Sequence, residues 1–197
     1  MLLLMLAARS AHADCAVEAA SLRQQLHDES VRMDRWRYGW TAAYGVIAVG
    51  QLALAVTKTN VFGAFDREYR DKDYLGASQA TLGALAMLLS PSVDVPAAVA
   101  DTCADATGLR AARVETGKTE RTLFYAGHLG NFVVNLGGSL LLARATSWQA
   151  GALAFVIGYP IGLLNKYTMP RASWHSLGVV PVPLAEGGVA IRLVGSF

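Results

Sequence analysis

His128, Asn131, Asn135 and Ser139 repeat at i, i+3, i+7 and i+11 within "LFYAGHLGNFVVNLGGSLLLA", residues 123–143, which carry no formal charge. That period puts all four on one face of a helix. Amides, a hydroxyl and an imidazole on such a face can hydrogen-bond to a neighbouring helix. An intramembrane histidine can also serve a proton path, a polar ligand or a haem iron. The latter uses need companions. No Asp or Glu lies between 122 and 165, and His27 and His175 fall outside the uncharged stretches. No cofactor and no metal is therefore expected.

The neighbouring stretch, 145–165, carries Gly151, Gly158 and Gly162 at i, i+7 and i+11. Only "RATS" joins the two, so they should form an antiparallel pair. Folding them about the turn near Ala145 sets Ser139 level with Gly151 and His128 level with Gly162. Bare glycine backbone admits the polar face closely. Pro160 cannot donate to the Val156 carbonyl. In lipid that freed acceptor needs a partner, and Asn131 or Asn135 is the expected donor. Interhelical bonding is thus the leading role of the face, and a ligand or ion pathway the second.

Four uncharged stretches, 39–56, 76–93, 122–143 and 145–165, would hold these groups. A helix needs about 20 apolar residues to cross the hydrocarbon. Trp36, Tyr38 and Trp40 suit the headgroup region beside the first. The second is the weakest, with Ser78, Gln79, Thr81 and Pro91. Between these two, "TKTNVFGAFDREYRDKDY" reads as a charged surface loop. Its acids Asp66, Glu68, Asp71 and Asp73 lack the spacing of a calcium loop. Residues 14–37 form an extramembrane amphipathic helix. Its Cys15, Ala19, Leu22, Leu26, Met33, Trp36 and Trp40 follow 3–4 spacing, interrupted by Glu29. That helix would rest on the protein's own outer loop or form a dimerising coiled coil.

Residues 1–13 resemble a cleaved signal peptide. An apolar run precedes Ala11-His12-Ala13, although no Lys or Arg precedes the run. Export would place Cys15 outside. Two crossings return the 94–121 loop, and Cys103 with it, to the same side. Two thiols in an oxidising compartment are expected to form a Cys15–Cys103 disulfide. Both termini would then be periplasmic and the bundle would lie in the bacterial inner membrane. The positive-inside count favours the reverse orientation. The excess of Arg over Lys, with abundant Ala and Gly, reads as a GC-rich bacterial composition.

Only 16% of the 197 residues are charged, against about 25% in soluble domains. A net charge of +2 gives no basis for nucleic-acid binding. There is no HExxH, Gly-x-Ser-x-Gly, phosphate loop or dinucleotide fingerprint. Asp101 and Asp105 read as solubilising groups, and Ser173, His175 and Ser176 lack a third partner. Near the C-terminus, β-branched runs flank Glu186-Gly187-Gly188, a hairpin signal.

The expected fold is an all-α membrane protein. It comprises a signal peptide (1–13), an extramembrane amphipathic helix (14–37), a four-helix transmembrane bundle (38–165) and a tail with a small β-hairpin (166–197). The expected role is that of a non-enzymatic structural or interaction protein of the cell envelope. It would work in the lipid bilayer with a protein partner or a second copy of itself. The alternative is a small transporter or pore subunit using the polar face.

Overall fold

The computed structural model describes residues 2–57, 67–171, 178–183 and 189–194. Its four helices are α1 (Leu2–Thr57), α2 (Arg67–Leu88), α3 (Thr102–Ala145) and α4 (Trp148–Tyr167). The segment 14–37 and the stretch 39–56 belong to one uninterrupted helix. Of the side chains of residues 1–13 nothing is described, so the signal-peptide expectation lies outside what the structure addresses.

Two segments expected as loops contain helix: 94–121 from Thr102 onward, and the charged segment 57–74 from Arg67 onward. α3 begins at Thr102, twenty residues before the uncharged stretch. Asp101 is its N-terminal cap, with Oδ1 accepting the Cys103 and Ala104 N–H groups at 2.9 and 3.3 Å. Such a cap satisfies donors that a first turn leaves orphaned, and from there Ala, Leu, Arg and Glu are good helix formers. Likewise α2 starts at Arg67, inside the charged segment between the first two stretches. Alternating charge marks solvation; it does not by itself prevent a helix.

Among the described residues, α1 alone, over Asp14–Thr57, is long and apolar enough to cross a membrane. An N-terminal export signal shares that property. The other stretches are uncharged without being strongly apolar. Amides, glycines and a proline dilute α3 and α4, and α2 stops at Leu88.

The chain divides into two compact units. The first comprises Met1–Val31, Val93–Arg121 and Pro170–Phe197. Its core is Ala19, Leu22 and Leu26 of α1 against Ala106 and Leu109 of α3, with Val93, Val95 and Ala112 packed on it. The apolar stripe of α1 is thus covered here by the protein's own chain. Cys15 and Cys103 are disulfide-bonded. Asp105 is buried and forms an ion pair with Arg23 at 2.8 Å. It also accepts the Val99 N–H at 3.3 Å. Asp105 therefore ties α3 to α1 and to the segment before α3, where solubility alone had been expected of it. Arg110 pairs with Glu18, and Arg113 donates to Gln25 at 2.6 Å, both at the surface.

The second unit comprises Arg32–Ser92 and Thr122–Met169. Both units bury polar groups, Glu29 and Glu120 among them in the first, but the second exposes far more large apolar side chains. Asp73, Asn135, Ser139, Asn165 and Lys166 are buried, whereas Val46, Val49, Leu89, Leu141 and Val156 are each at least 67% exposed. In the first unit only Val17, Val99 and Val114 are exposed large apolar residues among those described.

Candidate functional site: a polar cavity in the second unit

α3 and α4 meet along the polar and glycine faces. A Cβ on Gly151 would lie 2.5 Å from the Ser139 carbonyl oxygen, so these backbones approach as closely as glycine allows. At the other end the register differs from expectation. Gly162 faces Asn131 and Gly158 faces Asn135. His128 instead packs edge-on against Phe124 and Tyr167, with centroids at 4.5 and 5.6 Å. The bulky aromatic and imidazole rings stack outside the close contact, and the smaller amides take the places opposite glycine.

The hydrogen bonds also differ. Asn131 Nδ2 donates to the Tyr159 carbonyl at 3.1 Å, three residues past the Val156 acceptor left open by Pro160. Val156 lies on the exposed face. Among the described residues no side chain donates to its carbonyl. Asn135 Nδ2 is spent within α3, on the Asn131 carbonyl at 2.8 Å and Oδ1 at 2.7 Å. Ser139 Oγ is buried without a hydrogen-bond partner. Its small size serves the close approach to Gly151, and it is not an interhelical donor. Asn131→Leu is accordingly expected to weaken the second unit by about 0.5–1.5 kcal/mol, the usual net worth of one hydrogen bond. Ser139→Ala should change it by far less. Reversible chemical unfolding would measure both.

Asn131 and Asn135 also line a cavity of about 320 Å³ inside this unit. Gln51 of α1, Gln79 of α2, and Asn165 and Lys166 of α4 supply further polar groups to its wall, with Ala, Gly, Leu and Ile between them. Glycines seat these side chains. A Cβ on Gly76 would fall 2.0 Å from Gln51 Oε1, and one on Gly127 2.2 Å from Lys166 Cε. Gln79 Nε2 donates to the Val134 carbonyl at 3.0 Å. Gln51 Oε1 is buried with no donor.

At the Lys166 end, Trp36 Nε1 donates to the Asn165 carbonyl at 3.1 Å, and the Lys166 ammonium lies 5.6 Å from the Trp36 ring centroid. Asn165, 1% exposed, turns its amide towards Met87 Sδ at 3.5 Å. Lys166 is 7% exposed, and among the described residues no carboxylate pairs with it. Lys72, also on the wall, lies 3.1 Å from Asp73.

Sequence reasoning missed Gln51, Asn165 and Lys166. Gln79 counted there only against a span. One signal was available: Gly76 and Gly83 stand seven apart on α2, the spacing that singled out Gly151 and Gly158. No group of three or more His, Cys, Asp or Glu among the described residues could hold a metal ion. Compared with protein-family models, curated proteins and solved structures, the chain matches none.

Proposed function

We propose that this chain is a non-enzymatic integral membrane protein of the bacterial cell envelope. Its second unit is embedded in the bilayer and its first stands in water on the periplasmic side. The exposed apolar surface of the second unit carries this reading. A soluble unit that left Val46, Leu89, Leu141 and Val156 to water would leave much apolar surface unburied, while burying Lys166 carries a desolvation cost. In lipid the same arrangement is favourable, since apolar side chains face the acyl chains and polar ones face each other.

Aromatic residues lie near both ends of the second unit, as at membrane interfaces. Trp36, Trp40 and Tyr167 accompany Arg37 and Lys166, while Tyr74 and Trp148 accompany Arg144. Four crossings follow, by α2, α3, α4 and the later half of α1. An oxidising compartment around the first unit accords with the cysteine pair. The tail contributes a small hairpin in this reading, supported by the antiparallel pairing of Gly178–Pro183 with Val189–Val194.

The test is extraction. The chain should remain in membranes washed with alkaline carbonate and be monodisperse only with detergent or lipid. A monodisperse species in plain buffer would exclude the reading. A small transporter or pore subunit is the second reading, and the polar-lined cavity favours it. In either case the protein acts by binding, with the bilayer and a protein partner or second copy as its surroundings.

A further inference from the structure

We propose that the cavity of the second unit binds an organic acid with an apolar chain, its carboxylate held at Lys166. The proposal rests on the reading of that unit as membrane-embedded.

Lys166 supplies the charge argument. Its side chain lines the cavity, the residue is 7% exposed, and its one described polar attraction is to the face of Trp36. A buried cation without a counter-charge is strongly disfavoured. Lys72, the other cation on the wall, already faces Asp73 at 3.1 Å. The cavity thus presents one uncompensated positive charge, which suits a monoanion. Glycine at 127 leaves the room that the lysine stem occupies.

The cavity offers far more room than a bare inorganic ion needs. Its lining on α2 runs from Lys72 to Met87, about 22 Å of helix axis at 1.5 Å per residue. Ala80, Gly83, Ala154 and Ile157 give this length an apolar wall suited to a chain. Gln51 Oε1 is a second group awaiting a partner. It is a buried acceptor on the wall with no donor, which a hydroxyl or N–H on the chain would satisfy.

Octanoate, octanol, acetate and chloride are the probes, titrated into the full chain in lipid nanodiscs and followed by Trp36 fluorescence. A carboxylate that draws the ammonium off the indole face changes that emission, and Trp36→Phe identifies the signal. Octanoate should saturate the signal, with octanol, acetate and chloride each at least tenfold weaker. Lys166→Met should lower octanoate affinity at least tenfold while leaving the thermal midpoint unchanged or higher.

Equal binding of octanol or chloride would overturn the proposal, as would unchanged octanoate affinity in Lys166→Met. The comparison of probes on the unaltered protein stands even where the variant fails to assemble. Palmitate placed in the nanodisc lipid separates the sources. Competition with octanoate means that the acid enters from the bilayer, and its absence with octanoate still bound means entry from water. If octanoate fails to bind while the chain still requires detergent, the cavity proposal falls and the membrane reading stands.

Discussion

Gly151→Ala is expected to separate α3 from α4 and to destabilise the second unit by about 1–3 kcal/mol, the usual range for overpacking. The added methyl would lie 2.5 Å from the Ser139 carbonyl oxygen, 2.6 Å from Ala143 Cβ and 3.0 Å from the Ala143 nitrogen. None of these atoms can rotate away, because all belong to the backbone or to the first side-chain carbon of α3. Two helices must therefore move. Gly162→Ala meets an amide instead, with its Cβ 1.8 Å from Asn131 Oδ1. That side chain can turn, at the loss of its bond to the Tyr159 carbonyl, so the cost should be smaller.

Gly137→Ala is the control. Nothing lies within 4 Å of its added methyl. Replacing a helical glycine there should stabilise by up to about 1 kcal/mol. The three variants, unfolded reversibly by denaturant and followed by circular dichroism, should rank in that order. A Gly151→Ala protein as stable as Gly137→Ala would mean that the two helices do not meet at Gly151.

Replacing Cys15 and Cys103 together by serine should release the first unit and leave the second intact. The bond closes a separation of 88 residues. Much of that separation, Arg32–Ser92, belongs to the second unit. With that unit folded, the crosslink still constrains 16–31 and 93–102, which the chain-entropy relation values at about 3–4 kcal/mol. The remaining ties are few. The small core around Leu22, Leu26 and Leu109 and the Arg23–Asp105 pair are buried or partly so. The Arg110–Glu18 pair is exposed, and such pairs contribute about 0–1 kcal/mol.

Amide hydrogen exchange resolves the outcome by position. Protection over 14–31 and 102–121 should fall by two to three orders of magnitude, with α4 unchanged. An equal loss in α4 would show that the two units unfold as one. No change anywhere would show that the pair contributes nothing to the first unit.

Much of this architecture could be read from local pattern. The face of His128, Asn131, Asn135 and Ser139 follows from a 3.6-residue period, and the antiparallel α3–α4 pair from a link too short for anything else. The stripe from Ala19 to Trp36 was legible for the same reason. Glu29, which interrupts that stripe in sequence, is itself buried. Helix extents were less legible. Charged segments ahead of 76–93 and 122–143 resembled loops, because uncharged length marks where a helix could enter lipid and says nothing of where it begins.

The sequence by itself determined which residues share a helical face, that α3 and α4 run antiparallel, and that the cysteines were candidates to pair. Only the tertiary structure decided that Asn131 faces Gly162 while His128 stacks with Phe124 and Tyr167. It alone brought Gln51, Gln79 and Lys166 from three helices onto one cavity wall. The physical reason is range. Periodicity is set by backbone geometry within a few residues. Register between helices depends on which side chains fit against which glycines, and that is settled only when the helices touch.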